Sequence, residues 1–277
     1  MKIKTMVKAV ALSSLILGGA QAASADQMFL KAQDYRPAVK AAANVHLLNG
    51  TFEISANAVA VDRIKNVRIV AGGKVTTPSE SQWKQAKSFS TLSFAAEVAG
   101  TYVVGLSTKP RVIEMDRNQF VGYMAYEGMK DALATFIQDS KLTSVRERYS
   151  KHVRTFMQVG DQKTDDYKAS LGHPLEIMLE DNPYNLRFGK TVKFQVLLNG
   201  KPLANQSVKA SYEGFHAHNT TGGHITSYNV KTDDQGRASF LLSNKAVWYI
   251  SLINMQPVND GDADYESNWA TVTFDVK

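Results

Sequence analysis

The chain has 277 residues, of which 44% are hydrophobic and 21% charged, and it contains no cysteine. The absence of thiols excludes disulfide bonds, thiolate metal ligands, iron–sulfur clusters and cysteine nucleophiles, so apolar burial alone must hold the core. Three of the 32 basic residues lie in the first eight positions, so the rest of the chain has 29 basic and 26 acidic residues. This mild excess of positive charge does not predict nucleic-acid binding.

The first element along the chain is an export signal. Three lysines precede a largely apolar stretch over residues 9–17, which is followed by small residues. This order is typical of a secretory signal peptide. The apolar stretch is shorter than the roughly 20 residues that a membrane-spanning helix needs. We therefore expect residues 1–25 to be removed, with cleavage after Ala22 or Ala25, to leave a periplasmic protein without a transmembrane helix.

Residues 26–170 are predicted to form a first β-sandwich lobe. Apolar and polar residues alternate in short segments, and Asn49-Gly50 and Gly72-Gly73 supply turns between them. Such short strands with frequent turns are typical of antiparallel sandwiches. The predicted strands are residues 45–48, 51–54, 66–71, 92–98 and 101–106.

The hydrophobic period then changes to three and four residues, which predicts a two-helix insertion over about 116–158. Asp116 and Gln119 form a capping-box pattern, and the apolar positions after them continue to Ile137. A second capping box, Ser144 with Glu147, begins another helical pattern. We expect the charged residues of this second helix, together with His152, to lie on its solvated face.

Residues 171–277 are predicted to form an immunoglobulin-like β-sandwich. Turn sequences such as Asn199-Gly200 separate segments of strand-like composition. His173 lies at the junction, where it could approach a site between the lobes. The predicted fold is mainly β, with two immunoglobulin-like antiparallel β-sandwich lobes and a two-helix insertion. The strands expected here are residues 175–179, 191–198, 206–212, 226–231, 238–242, 248–254 and 269–276.

Three of the six histidines lie within nine positions, at His216, His218 and His224. In a strand, alternate side chains share a face, so His216 and His218 point the same way with Cα atoms roughly 6.5–7 Å apart. Residues 219–223 are rich in Asn and Gly and predict a tight turn. Folding back at this turn places His224 opposite His218, so that the three imidazoles converge.

Converging imidazoles predict a divalent transition-metal site. Neutral imidazoles suit nickel, cobalt, copper or zinc, and geometry rather than sequence selects among them. Glu213 is a further candidate ligand, although it begins on the opposite face unless Gly214 bulges the strand. Open coordination positions on such a loop would permit release of the metal. The same pattern also fits a polar surface hairpin that binds nothing.

Several segments of the C-terminal half follow one another in an order that resembles a known family. The segments are Leu175-Glu176-Ile177, Asn182-Pro183-Tyr184-Asn185-Leu186, Asn199-Gly200-Lys201-Pro202-Leu203, Thr232-Asp233-Asp234-Gln235-Gly236-Arg237-Ala238-Ser239-Phe240 and Tyr265-Glu266-Ser267-Asn268-Trp269-Ala270-Thr271-Val272-Thr273-Phe274. They are similar to the NikM-like periplasmic family of unknown function, which is associated with nickel and cobalt uptake. The likeness covers most of the mature chain and is sharpest over residues 147–277.

The resemblance implies a periplasmic transport or delivery accessory that works with a membrane transporter or an outer-membrane receptor. It also implies two immunoglobulin-like lobes with a helical insertion. Members of the family often begin the mature chain with a histidine before an aromatic-containing strand, where this sequence has Asp26-Gln27-Met28-Phe29-Leu30. The missing histidine argues against a metal site at the mature N-terminus, where Asp26 offers only an oxygen ligand.

No catalytic motif is present, so we do not expect an enzyme. The sequence lacks the nucleophile elbow, the zinc-protease helix, the phosphate-binding loop and the dinucleotide-binding glycine pattern. The alternative to metal binding is a non-catalytic interaction module that binds a glycan, a peptide or an outer-membrane partner through loops and aromatic side chains. The aromatic candidates are Tyr212, Phe215, Tyr228, Trp248 and Trp269, although strand alternation predicts that several of them lie in the core.

Overall fold

The computed structural model describes residues 26–218 and 223–277. The predicted signal peptide over residues 1–25 lies outside this description, and so does most of the turn predicted between His218 and His224. Within the described ranges, no helix combines the length and the apolar character needed to cross a membrane.

The N-terminal half consists of strands followed by two helices and one long strand. Its first strands are β1 (Gln27–Ala32), β2 (Ala42–Gly50), β3 (Ile64–Ala71), β4 (Lys74–Thr76), β5 (Trp83–Gln85), β6 (Phe89–Ala95), β7 (Gly100–Thr108) and β8 (Arg111–Asp116). The segment then continues as α1 (Arg117–Tyr126), α2 (Lys130–Asp139) and β9 (Ser144–Val159). Residues 51–53 form bends, and none of residues 51–54 belongs to the predicted strand.

The C-terminal half is built from strands and short turns. Its strands are β10 (Leu175–Leu179), β11 (Thr191–Leu198), β12 (Lys201–Pro202), β13 (Ser207–Tyr212), β14 (Ala217–His218), β15 (His224–Ile225), β16 (Tyr228–Lys231), β17 (Arg237–Leu241), β18 (Val247–Pro257) and β19 (Tyr265–Asp275). Short 3-10 helices lie at Val61–Arg63, Glu80–Gln82, Asp165–Lys168 and Pro183–Asn185.

Most of these strands belong to three sheets. In the described residues, one four-stranded sheet has the order β1-β2-β6-β5, and another joins β10, β11, β12 and β17. The largest sheet has nine strands, with the order β16-β13-β18-β19-β9-β7-β3-β4 and with β8 paired to β9. Strands β19 and β9 pair in parallel, whereas the other pairs in this sheet are antiparallel.

The nine-stranded sheet is a middle layer with a core on each face. On β7 and β9, Val103 and Phe156 pack into the core that contains β10 and β11. Their neighbours Val104 and Met157 pack into the core that contains β1 and β2. Every residue of β7 is buried, because both faces of a middle sheet are covered. The expected mainly β fold with β-sandwich lobes and two inserted helices is confirmed, although both helices precede β9.

The two helices follow one another and pack on one end of the middle sheet. Asp116 accepts a bond from the Gln119 backbone and closes the predicted capping box of α1. The helical pattern that the sequence carries to Ile137 is interrupted at Gly128, whose φ of 72° places it in the left-handed region. Phe120 of α1 and Phe136 of α2 then pack with Trp269 of β19 in a third core.

The predicted second helix, over residues 144–158, is wrong, because this segment is strand β9. Val145 and Glu147 are buried in alternation, and residues 151–159 are then buried without interruption. His152, expected on a solvated helix face, is only 2% exposed. The physical reason is the position of β9 between two cores, where its polar side chains find partners inside the protein.

Candidate functional site

The histidine hairpin begins from an aromatic cluster at the end of β13. The ring of Phe215 lies 5.0 Å from that of Tyr212 and 5.1 Å from that of Tyr228, measured between centroids. Tyr212 in turn lies 4.6 Å from Trp248 of β18. These contacts fix the chain on both sides of the hairpin to the core of the C-terminal sandwich.

The structure brings two of the predicted ligands together. The rings of His216 and His218 lie 5.0 Å apart between centroids and meet edge to face, and both residues are exposed. Strands β14 and β15 pair antiparallel, and His218 is directly opposite His224 in their register. The side chain of His224 is outside the described part of the structure.

Glu213 is engaged elsewhere. Its carboxylate forms an ion pair with Lys31 of β1 at 2.9 Å, and the backbone N–H of Gly214 donates to Glu53 at 2.7 Å. These bonds tie the start of the hairpin to the N-terminal sandwich. Among the side chains that the structure describes, no three histidines, aspartates or glutamates are grouped to hold a metal ion.

His152 and His173 form a second, buried histidine pair, with ring centroids 5.6 Å apart. Nδ1 of His152 is 2.8 Å from the Ser107 hydroxyl, and Nε2 is 2.9 Å from Oδ1 of Asn268. Burial lowers the pKa of His152 to about 4. Burial, followed by the nearby positive charge, lowers the pKa of His173 to about 2. Both rings are therefore neutral at physiological pH. A site between the lobes at His173 stays a prediction.

Three of the five aromatic side chains proposed for an interaction surface belong to the interior. Trp248 is fully buried and Trp269 and Tyr212 nearly so, whereas Phe215 and Tyr228 are half-buried against the core that contains Trp248. Alternation along β13, β18 and β19 turns the three buried rings toward the sandwich cores. These three rings are therefore not available to a binding partner, as strand alternation predicted for several of the five.

A cavity of about 400 Å³ lies where β1, β8, β9, β19 and helix α1 meet. Alternate residues of β9, namely Glu147, Tyr149 and Lys151, project from one face of the strand and line it. Further lining residues are Asp26, Met28, Asn49, Asn57, Ala58, Val59, Ala60, Arg63, Arg111, Ile113, Tyr123 and Trp269.

Two oppositely charged side chains are buried at this cavity. Oε1 of Glu147 accepts from the Tyr123 hydroxyl at 3.1 Å and from the Ser267 hydroxyl. Burial raises the pKa of Glu147. The ammonium of Lys151 donates to the backbone oxygen of Asp26, and burial lowers its pKa to about 8. Side chains whose pKa values are shifted in this way, and which line a cavity, are typical of functional sites.

The cavity was not predicted from the sequence, because the pattern of residues 144–158 indicates a helix where the structure has β9. On a helix, Glu147 and Tyr149 would point in different directions, whereas on a strand they share a face with Lys151. The spacing of two between these three polar or amphipathic residues is the signal that would have identified the strand face. The capping-box pattern at Ser144 obscured it.

One sequence family matches this chain. The family described as a domain of unknown function (DUF4198) matches residues 23–256. No curated protein matches. The nickel and cobalt association of the resemblance noted above stays a prediction.

Several solved structures are similar over most of the chain at low identity. Trypsin-activated alpha-2-macroglobulin from Escherichia coli is 10% identical, with 91% of this chain and 16% of that chain covered and a TM-score of 0.25. The adhesin InvE from Yersinia pseudotuberculosis is 10% identical, with 91% and 59% covered and a TM-score of 0.22. Dimeric latent PorU from Porphyromonas gingivalis is 12% identical, with 91% and 20% covered and a TM-score of 0.19. The chain spans less than two thirds of each of these proteins.

Proposed function

We infer the function of this chain, which belongs to the family described as a domain of unknown function (DUF4198), from the chemistry of its own residues. We propose that it is a periplasmic, non-catalytic protein that binds a divalent transition metal at the histidine hairpin. The observation that carries this proposal is the 5.0 Å separation of the His216 and His218 rings, with His224 opposite His218.

The chemistry of the hairpin supports uptake and release rather than permanent storage. Imidazole nitrogens bind nickel, cobalt, copper and zinc, with metal–nitrogen distances of about 2.0–2.1 Å for zinc. His216 and His218 are exposed, so a bound metal remains accessible to a second protein. We propose that the chain is a transport or delivery accessory, whose partner is a membrane transporter or an outer-membrane receptor.

The anchoring of the hairpin also supports this proposal. Phe215 is held between Tyr212 and Tyr228, and Glu213 is held by Lys31. A loop that is fixed at its base loses less conformational entropy when its ligands close around a metal. Glu213 can join the coordination sphere only after it leaves Lys31, so we expect it to contribute little.

Calorimetric titration of the mature protein with Ni²⁺ and Zn²⁺ tests the site. We expect one metal per chain, with an affinity that falls as pH decreases below neutrality, because protons compete for the imidazole nitrogens. His216→Ala combined with His218→Ala should weaken binding at least 100-fold. His224→Ala should weaken it about 10-fold or more, and Glu213→Gln should change it less than threefold.

His46→Gln is the matched control, because His46 lies on β2 and bonds to Thr91 at 2.9 Å. This variant removes one imidazole from the chain but should leave metal affinity unchanged. Unchanged affinity in the His216 and His218 double variant would refute the hairpin site. The absence of binding by either metal to the unmodified protein would refute the function as a whole.

The non-catalytic interaction module stays an alternative prediction. With three of the five aromatic candidates buried, this alternative depends on loops and on exposed apolar residues, among which Phe188 and Leu241 are each more than half exposed. Its glycan, peptide or outer-membrane partner would bind equally well to the chain without metal and to the double histidine variant. Metal-independent binding would therefore separate the two functions.

A further inference from the structure

The cavity beside β9 contains opposite charges that are not paired with each other. The Glu147 carboxylate accepts from Tyr123 and Ser267. The Lys151 ammonium donates to the Asp26 backbone oxygen and, at 3.5 Å, to Oδ1 of Asn49, which leaves one of its three N–H groups unused. Glu147 and Lys151 are four positions apart along the strand, and their Cα atoms are therefore roughly 13 Å apart. Both side chains line the same cavity of about 400 Å³, which has room for a small molecule.

Glu147 presents a hydrogen-bond acceptor that nothing in the described part of the chain satisfies. The residue is 1% exposed, and its Oε2 atom is buried without a partner among the described residues. Leaving a buried acceptor unsatisfied costs about 1–3 kcal/mol. A ligand with an N–H or O–H donor at this point would remove that cost.

The opposite side of the cavity favours an anion. Lys151, Arg63 and Arg111 all line it, and Nε of Arg63 is buried with no hydrogen-bond partner in residues 26–218 and 223–277. The other carboxylate of the lining, that of Asp26, accepts from the side-chain amide of Asn49 at 3.2 Å. Two buried or half-buried cations with unused donors are suited to a carboxylate, which can accept from both.

The aromatic walls further restrict the ligand. The Lys151 ammonium lies 5.2 Å from the Trp269 ring centroid and 5.7 Å from that of Tyr149. The Arg63 guanidinium lies 5.8 Å from the same Tyr149 ring. These faces already contact cations of the protein, so they are not available as a cage for a ligand cation. Apolar residues complete the lining, so an apolar ligand body fits: Met28, Val59 and Ile113.

We propose that this cavity binds a free apolar α-amino acid, whose carboxylate pairs with Lys151 and Arg63 and whose ammonium donates to Oε2 of Glu147. The volume of about 400 Å³ is within the range of small-molecule sites. The proposal is independent of the histidine hairpin, and its failure leaves the metal site untouched.

The first experiment compares L-leucine, L-isoleucine and L-phenylalanine with matched derivatives. Binding to the purified mature protein is followed by calorimetry and by tryptophan emission, because Trp269 lines the cavity. We expect at least one free amino acid to bind with micromolar affinity. Its N-acetyl derivative lacks the ammonium and its amide lacks the carboxylate, so each should bind at least 10-fold more weakly.

The second experiment tests which protein residue binds the ammonium of the ligand and which binds its carboxylate. Glu147→Gln removes the charge with little change of shape and should abolish the preference for the free amino acid over its N-acetyl derivative. Lys151→Met should abolish the preference for the free amino acid over its amide. Glu127→Gln and Lys209→Met are matched controls, because these residues form a partly buried ion pair outside this cavity. Both controls should keep wild-type selectivity.

Trp83→Phe should retain the ligand-induced change in emission, because Trp83 lies on β5, outside the cavity. Trp269→Phe should lose it. Failure of all three amino acids to bind the folded protein would overturn the proposal. Equal binding of an amino acid and both of its derivatives would also overturn it, as would unchanged selectivity in the Glu147 and Lys151 variants.

Discussion

His152 and His173 lie at the contact between the middle sheet and the start of the C-terminal sandwich. Both rings are buried, and Nε2 of His173 has no partner within the described residues. A charged imidazole here would lose its hydration without gaining a carboxylate, since His152 is instead bonded to Ser107 and Asn268. The fold therefore requires both rings to stay neutral.

The neutral state of His152 predicts a loss of stability in mild acid. Its folded pKa of about 4 is below the ordinary imidazole value of about 6.5, so the unfolded chain binds more protons between these values. The free energy of unfolding should therefore be at its full value above about pH 6.5 and should fall as the pH decreases toward 4. The contribution of His152 is on the order of 3 kcal/mol.

Urea unfolding of the wild type and of His152→Gln between pH 7 and 4.5 measures this contribution. The variant should lose part of the pH dependence, whereas His218→Gln in the exposed hairpin should retain it. An NMR titration gives a direct check, because the His152 ring should remain neutral down to about pH 5. A midpoint near 6.5 for His152 would contradict the explanation.

At the scale of elements, β7 allows close packing because it contains Gly105. A Cβ atom at this position would lie 2.2 Å from Cδ1 of Leu171 and 2.9 Å from the backbone oxygen of Val153. Leu171 therefore packs directly on the β7 backbone. We expect Gly105→Ala to lower the free energy of unfolding by about 1–3 kcal/mol, as overpacked cores do.

Gly122 provides the matched control for this prediction. It lies in α1, and a Cβ atom there would meet nothing within 4 Å. Gly122→Ala should raise the free energy of unfolding by up to about 1 kcal/mol, because alanine favours helices. Thermal and urea unfolding of the two variants should give changes of opposite sign. Equal stability of both variants would show that β7 can move away from Leu171.

Some strands and helices could be predicted from local sequence patterns alone. Strands β10 and β11 agree residue for residue with the predicted 175–179 and 191–198, because clear turns bound them. The α1 capping box at Asp116 was also predicted correctly. Strand β9 was not predicted, because the alternation of apolar and polar residues disappears where both faces of a strand are buried. Its charged residue Arg154 is also buried, in an ion pair with Glu176.

Of the two candidate sites, one could be predicted from the sequence and the other could not. The hairpin could be predicted because its turn is local, and the pairing of His218 with His224 follows from the length of that turn. The cavity could not be predicted, since Glu147 and Lys151 meet Trp269 through a strand pairing and Asp26 through the packing of two sheets. Each of these contacts spans more than 100 residues. Such contacts depend on tertiary structure, which no short-range pattern encodes.

At the scale of the whole molecule, the parallel pairing of β9 and β19 joins the two halves. Residues Glu147 to Thr155 of β9 lie beside Tyr265 to Thr273 of β19 in continuous register. Arg154 of β9 also forms a buried ion pair with Glu176 of β10 at 2.6 Å. The division of the chain near residue 170 stays a prediction, and these contacts cross it.

This pairing predicts that the mature chain unfolds in one cooperative transition. Removing one sandwich would expose the opposite face of the same middle sheet, so neither should persist alone. Differential scanning calorimetry should give a van't Hoff enthalpy equal to the calorimetric enthalpy. Two resolved transitions would instead show that the sandwiches are stable separately.

The outermost strands of the nine-stranded sheet influence whether copies of the chain can join. One border is β4, which has only three residues, all exposed and including Lys74. At the other border, Lys231 of β16 pairs with Asp131 of α2 at 2.6 Å, so a helix lies close to the strand. Short or charged border strands hinder strand addition between molecules. The large sheet therefore resists growth into filaments even at the high protein concentrations of a crowded compartment.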